Sequence, residues 1–172
     1  MTPYRSNKKY IGIDPGKNGG IMVIDESGEA TAYKCPEKVF DMSVLFRLLI
    51  GDTAPDDINL LMERVWARPG NAVRAAFTYG VNYGQWLGIA SSYEVKMHTT
   101  LPNAWIKWIG CPKGLPVKER KHWLRDKAKE LYPELKKVTL ATADAILITH
   151  YAKEEYFNGE QEEGKYKKKK KS

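Results

Sequence analysis

The chain has 172 residues, of which 42% are hydrophobic and 28% are charged, and these proportions are typical of one ordinary globular domain. No apolar run approaches the length needed to cross a membrane, and the polar residues near the N-terminus do not resemble a signal peptide. Cys35 and Cys111 are isolated and lack the spacing of a metal site. They predict a reduced, cytoplasmic setting.

The net charge of +7 is concentrated at the C-terminus. Residues 165–172 contain six lysines and no acid, so residues 1–164 carry a net charge of only +1. A nucleic-acid surface on the domain must therefore be a local patch, and residues 103–137, with 10 Lys or Arg against 4 Asp or Glu, are the candidate. The predicted organisation has three parts: a flexible segment (1–8), one folded domain (9–157) and a disordered Lys-rich tail (158–172).

A glycine-rich turn between two apolar segments opens the predicted fold. Ile11–Ile24 predicts a β-hairpin, because apolar and β-branched residues with almost no charge are typical of buried strands. Asp14 ends the first strand, and Pro15-Gly16 breaks that strand directly afterwards. A carboxylate held beside a tight turn suits a metal ligand. The alternative is a simple turn in which Asp14 bonds only its own backbone.

A third strand, a helix and a second lone acid follow. Glu29–Cys35 predicts the strand, and apolar residues at helical spacing predict a helix that ends at Gly51. Ile58–Glu63 is the next buried strand, with Glu63 at its end. If this strand and the one bearing Asp14 are parallel neighbours, both carboxylates emerge from one edge of the sheet. The alternative is that Glu63 is a surface residue beyond the sheet.

The predicted helix Ala72–Ala90 carries a stripe of small residues at every fourth position. The stripe consists of Ala72, Ala76, Gly80, Gly84 and Gly88. Each of its three glycines costs the helix about 1 kcal/mol relative to alanine. The stripe therefore indicates the close approach of another backbone, which is either the sheet beneath or a partner subunit.

The basic segment follows a further predicted strand, Tyr93–Thr99. Asn103 is the predicted cap of a short helix, and Val117–Tyr132 predicts a basic helix. Its Lys and Arg side chains could form merely a solvated face, but interleaved aromatic residues favour a surface that follows DNA phosphates. Together with residues that follow Glu63, the candidate DNA contacts are Arg64, Trp66, Arg68, Lys107, Lys113, Lys118, Lys121 and Arg125.

The last predicted helix runs from about Thr139 to Phe157 and carries a third lone acid. Asp144 falls near its start, where the helix dipole alone can stabilise an acid. However, the neighbours of Asp144 are small and apolar, and a charge in such surroundings is costly unless it is paired or bound to a metal.

Three isolated carboxylates in apolar settings predict one site for a divalent cation. Mg²⁺ and Mn²⁺ prefer carboxylate oxygens. Two such ions about 4 Å apart can activate a water molecule to attack a phosphodiester. The three histidines are scattered, and no Ser-His-Asp or Cys-His arrangement is indicated by the spacing.

These motifs, taken in order, resemble the RuvC-type Holliday junction resolvases of the ribonuclease H-like nuclease superfamily, particularly their shorter phage-borne relatives. The likeness covers roughly residues 9–152. The motifs that carry it are Ile11-Gly12-Ile13-Asp14-Pro15-Gly16, Met62-Glu63, the glycine helix that begins Phe77-Thr78-Tyr79-Gly80, and Ala143-Asp144-Ala145.

The resemblance implies an α/β ribonuclease H-like fold with a mixed five-stranded sheet and helices on both faces. It implies a homodimer that cuts four-way or branched DNA with Mg²⁺, for which Mn²⁺ can substitute. By position, the implied metal ligands are Asp14, Glu63 and Asp144. Lys107 and Lys118 match lysines near the scissile phosphate, and Trp66 matches an aromatic that stacks on a junction base.

One departure and two alternatives remain open at this level. The family has a fourth ligand three residues before the last aspartate, and here that position is Ala141. Either three carboxylates suffice with added water, or another residue reaches in, or activity is reduced. The alternatives are a catalytically weak junction-binding protein and a nucleotide-binding domain of the actin-like or sugar-kinase type, which shares the strand-Asp-Gly turn.

Overall fold

A computed structural model describes residues 8–64 and 72–158 of the chain, and these residues form a five-stranded mixed sheet. The strands are β1 (Lys9–Asp14), β2 (Gly20–Asp25), β3 (Ala30–Lys34), β4 (Ile58–Glu63) and β5 (Met97–Thr100). Their order across the sheet is β3-β2-β1-β4-β5. The β1–β2 and β2–β3 pairs are antiparallel, whereas β1–β4 and β4–β5 are parallel. The predicted sheet is confirmed.

Helices cover both faces of the sheet, as predicted. They are α1 (Val39–Ile50), α2 (Val73–Ser92), α3 (Pro102–Trp108), α4 (Val117–Leu131) and α5 (Ala143–Tyr151), with a 3₁₀ turn at Pro55–Asp57 and a π-helical turn at Ala152–Tyr156. Within the described ranges, none of these helices has the length and apolarity required to traverse a bilayer. The predicted terminal segments, 1–8 and 158–172, lie almost entirely outside the described residues.

The two apolar layers follow from the alternation of side chains along the central strands. Ile11 and Ile13 of β1 pack with Phe46 of α1 and Trp86 of α2 on one face. Leu61 of β4 belongs to the second layer, together with buried residues of α3, α4 and α5. Because β1 and β4 are covered on both sides, their sequences are almost continuously apolar.

Gly12 lets α5 lie directly on β1. A Cβ atom at Gly12 would lie 2.8 Å from the carbonyl oxygen of Ala145 and would also collide with Thr149. The Thr149 hydroxyl donates to that same carbonyl at 2.7 Å. Since Asp144 is adjacent to Ala145, this close approach sets the position of Asp144 relative to the strand that ends in Asp14.

Replacing Gly12 by alanine should therefore destabilise the protein by about 3 kcal/mol, because the helix must move to admit the methyl group. The expected fall in Tm is about 6–12 °C, measured by circular dichroism. Gly88→Ala is the matched control, since an added Cβ there meets no atom of the described part of the chain within 4 Å and alanine is the better helix former. An equal loss in both variants would contradict the packing argument.

The glycine stripe of α2 does not face the sheet. Within residues 8–64 and 72–158, a Cβ atom added at Gly80, Gly84 or Gly88 meets nothing within 4 Å, so the predicted approach by the sheet beneath is wrong. Large apolar side chains on the same helix are exposed, with Phe77 at 71% and Val81 at 43%. The stripe therefore faces away from the sheet, and its contact with a partner subunit stays a prediction.

The boundaries of the fifth strand and the short helix differ from prediction. Tyr93 caps α2 instead of starting a strand, and Glu94 has a φ of 59°, which turns the chain so that β5 begins only at Met97. The short helix begins with Pro102 at its first position, so Asn103 does not cap it.

The last helix also begins later than predicted. Residues 139–142 form a turn in which the backbone N–H of Thr139 donates to the Thr142 hydroxyl at 3.0 Å. The helix α5 therefore begins at Ala143, which places Asp144 in its first turn.

Candidate active site

The structure gathers the three predicted carboxylates around one cavity of about 750 Å³. Asp14 and Glu63 end the neighbouring parallel strands β1 and β4, whose register pairs Ile13 with Met62. Both acids therefore emerge at the same edge of the sheet. Asp144 reaches the same cavity from the first turn of α5.

The turn after Asp14 is fixed by contacts with α2. Its backbone closes through the N–H of Gly19, which donates to the carbonyl of Gly16 at 3.0 Å. The Gly16 N–H donates to the side-chain oxygen of Asn82 at 2.7 Å, and the φ of 127° at Gly16 strongly favours glycine. The base of Asp14 is therefore held rigidly beside the cavity.

Glu63 is held through both its backbone and its side chain. The N–H of the following residue, Arg64, donates to the carbonyl of Thr100 at 2.8 Å. One carboxylate oxygen of Glu63 accepts a hydrogen bond of 2.8 Å from the indole N–H of Trp105.

The carboxylates are close enough to perturb one another. The pKa of Asp14 is raised well above its usual range, first by burial and then by the negative charges of Asp144 and Glu63, while Lys121 acts in the opposite direction. Burial raises the pKa of Asp144 to about 6, against the positive charges of Lys121 and Arg120. A bound cation would relieve this unfavourable concentration of negative charge.

The donor set fits a hard divalent cation by its chemistry, because the cavity offers carboxylate oxygens from three elements. Across residues 8–64 and 72–158, however, no group of three His, Cys, Asp or Glu residues stands ready-made to hold a metal ion. Asp14, Glu63 and Asp144 are thus neighbours around one cavity, and their side chains would have to converge further to share an ion.

Acidification should stabilise the metal-free protein, because the pKa of Asp144 is about 6 in the fold and about 3.9 in an unfolded chain. Its stabilising contribution is fully present below about pH 4 and is lost as the pH rises through about 6. The Tm in EDTA should therefore rise by several degrees from pH 7.5 to pH 5, and rise less in Asp144→Asn. A Tm that falls or stays flat in the unmodified protein would contradict this assignment.

Two of the predicted cations line the cavity, namely Arg64 and Lys121. Lys107, Lys113 and Lys118 are exposed and are not among the lining residues. The guanidinium of Arg125 is paired with Asp126 at 2.7 Å. Trp66 and Arg68 lie outside the described residues. The roles predicted for these side chains remain predictions, and Lys121 is the lysine that the structure places beside the acids.

The start of α2 contributes lining residues that are not among the candidates predicted from the sequence. Arg74, Thr78 and Tyr79 come from its first turns, and Lys17 comes from the turn after Asp14. Their spacing along one side of a helix was a usable signal, since residues four apart share a face. The bond between Trp105 and Glu63 joins residues 42 positions apart and had no such signal.

Comparison with known proteins identifies the fold. No protein-family model matches the sequence, and no characterised protein matches it at the sequence level. Among solved structures, Thermus thermophilus RuvC in complex with a Holliday junction substrate aligns with a TM-score of 0.52 and 16% identity, covering 84% of this chain and 95% of that one. Another Thermus thermophilus RuvC structure aligns over the same shares at 17% identity and a TM-score of 0.48.

The chain thus has an α/β fold of the ribonuclease H-like type, with a cavity lined by three carboxylates at the edge of its mixed sheet. More particularly, it has the fold of RuvC, as the order of its sequence motifs predicted.

Proposed function

We propose that this protein is a structure-selective endodeoxyribonuclease that resolves Holliday junctions and related branched DNA by metal-assisted hydrolysis of phosphodiester bonds. The observation that carries the proposal is the meeting of Asp14, Glu63 and Asp144, which are far apart in the chain, around one cavity. The fold supports the same conclusion, since a RuvC of this fold has been solved with a Holliday junction substrate.

Asp14, Glu63 and Asp144 would hold Mg²⁺ or Mn²⁺. Such an ion, when bound, supplies Lewis-acid stabilisation of a phosphoryl oxygen and lowers the pKa of a bound water. The carboxylates themselves contribute the negative charge that attracts the ion. The raised pKa values of Asp14 and Asp144 show that this charge is costly without a counter-ion.

Lys121 brings a basic side chain to the same cavity. An ammonium group in this position can stabilise the charge that develops on a phosphate oxygen during hydrolysis. Lys107, Lys113, Lys118 and Arg125 extend the basic surface over α3, α4 and the loop between them, where they would follow the DNA backbone.

Resolution of a four-way junction requires two cuts, and a homodimer supplies two cavities. We infer that the exposed face of α2 forms the subunit interface, since an added Cβ at any of its three glycines meets nothing within 4 Å among the described residues. Exposed Phe77 and Val81 on the same helix offer apolar area to a second copy.

Gly84→Leu tests this interface. A large side chain in the stripe should weaken dimerisation at least tenfold by preventing close approach of the helices, while leaving the monomer folded. Sedimentation velocity over a concentration series measures the effect. Lys129→Leu, an exposed position on α4, is the control and should leave the dimer intact. Unchanged dimerisation in Gly84→Leu would place the interface elsewhere.

A junction-binding protein without efficient cleavage is the second candidate function. It is favoured by the side-chain arrangement, in which the described carboxylates do not already form a ligand group for a metal. The two candidates share a DNA surface and differ only in chemistry.

Cleavage of a synthetic four-way junction separates them. The nuclease should introduce paired nicks in opposing strands with Mg²⁺ or Mn²⁺, should be inactive in EDTA, and should leave linear duplex of the same sequence uncut. A protein that retards the junction on a gel but does not nick it with either metal is the binding protein. Absence of both binding and cleavage would refute the proposed substrate.

A further inference from the structure

A buried tryptophan donates its indole proton to one of the proposed metal ligands. Trp105 lies on α3 and is only 1% exposed. Its Nε1 is 2.8 Å from a carboxylate oxygen of Glu63. A buried indole N–H normally finds a hydrogen-bond partner, and here that partner is a carboxylate on the wall of the cavity.

The segment that carries Trp105 also fixes the backbone of Glu63. Glu63 pairs with Thr100 across β4 and β5, and the next N–H, that of Arg64, donates to the carbonyl of Thr100. Helix α3 begins at Pro102, immediately after this pairing, and Pro102 itself lines the cavity. The segment from Thr100 to Trp105 therefore holds both the backbone and the side-chain carboxylate of Glu63.

We propose that Trp105 is the positioning residue for Glu63: its indole N–H orients the carboxylate so that Glu63 can join Asp14 and Asp144 around a divalent cation. This inference rests on the proposed function of the site. Hydrogen bonds that orient ligand side chains commonly change metal affinity by 10- to 100-fold. Trp105 acts through Glu63 and needs no contact with DNA or with the ion.

Packing alone is the competing explanation, because Trp105 belongs to the apolar layer formed with Leu124 and Ile146. The two roles can be separated. Phenylalanine at position 105 keeps most of the apolar contact and removes the N–H, so a packing role predicts only a loss of stability. A positioning role predicts a loss of metal affinity even where the protein remains folded.

The experiment compares the full-length protein with Trp105→Phe and Trp123→Phe. Trp123 packs partly buried against the same apolar layer and serves as the matched control. Isothermal titration calorimetry should show that Mn²⁺ binding is weakened about tenfold or more in Trp105→Phe and is unchanged in Trp123→Phe. The Tm of each protein in EDTA reports the stability of its metal-free form. Junction binding in EDTA should be the same in all three proteins. A higher Mn²⁺ concentration should restore part of the cleavage activity that Trp105→Phe loses.

A second measurement uses the unmodified protein and covers the case in which Trp105→Phe does not fold. The chain has five tryptophans, so its ¹⁵N-¹H spectrum should contain five indole signals, assigned from the remaining single Trp→Phe variants. Mg²⁺ should shift the Trp105 signal more than that of Trp86, which lies in the other apolar layer.

Equal Mn²⁺ affinity in Trp105→Phe and the unmodified protein would overturn the inference. An indole signal of Trp105 that does not shift while the protein binds Mg²⁺ would also overturn it. Those results leave the proposed function standing. If the unmodified protein neither binds Mn²⁺ nor cuts a junction, the proposed function fails first and the inference falls with it.

Discussion

Replacement of Asp14 by asparagine should lower the rate of junction cleavage by at least about 10³-fold. A metal ion contributes several kcal/mol of transition-state stabilisation, and each 1.36 kcal/mol corresponds to a factor of ten in rate. Asparagine preserves the size of the side chain but removes the charge that helps to hold the ion. Single-turnover cleavage at saturating protein measures the chemical step separately from binding.

Junction affinity should change by less than about threefold in Asp14→Asn, because exposed Lys and Arg side chains, and not the half-buried Asp14, dominate contact with the phosphates. The Tm in EDTA should rise, since a desolvated carboxylate that repels Asp144 and Glu63 is replaced by a neutral amide. Asp56→Asn is the control, at an exposed position in the 3₁₀ turn. Joint loss of cleavage, binding and stability would instead indicate a structural role for Asp14.

Replacement of Lys121 by methionine should separate metal binding from catalysis. Cleavage should fall about 100-fold, the usual effect of removing one group that stabilises developing charge. Mn²⁺ affinity should be unchanged or higher, because Lys121 partly neutralises the same carboxylates, Asp14 and Asp144. The paired measurements are single-turnover rates and calorimetric Mn²⁺ titrations.

Lys113→Met is the control for Lys121→Met, since Lys113 is exposed and does not line the cavity. It should leave the rate intact and reduce the slope of log affinity against log salt by about 0.9. A larger rate loss in Lys118→Met than in Lys121→Met would show that the lysine implied by the family resemblance acts on the phosphate instead.

The sheet could be predicted from sequence because its central strands are buried on both faces. Residues 11–13 and 60–62 are apolar regardless of the face they point to, which is typical of parallel neighbours under helices. Once β1 and β4 are neighbours, their terminal acids must share an edge of the sheet. The lone acid of α5 could be anticipated for a different reason, namely its apolar neighbours.

The roles of α2 and α4 depended on tertiary packing and were harder to predict. The stripe of glycines in α2 indicates close approach but cannot say by which partner, and the structure leaves it facing outward. In α4, the buried positions are Leu124 and Ala128. Lys121 lies three residues before Leu124 and seven before Ala128, so it continues their face toward the cavity.

That spacing would have distinguished Lys121 from Lys118 if the buried face of α4 had been identified first. By contrast, no pattern links Trp105 with Glu63. Their hydrogen bond depends on the position of α3 after β5. This position is determined by the packing of α3, α4 and α5 against the sheet.

The most direct test of the proposed site is an anomalous difference map from crystals of the protein soaked in Mn²⁺. We expect a peak in the cavity within about 2.0–2.3 Å of carboxylate oxygens from Asp14, Glu63 and Asp144, and no such peak in crystals of Asp14→Asn. Manganese bound only elsewhere on the molecule, with these three side chains directed apart, would contradict the account.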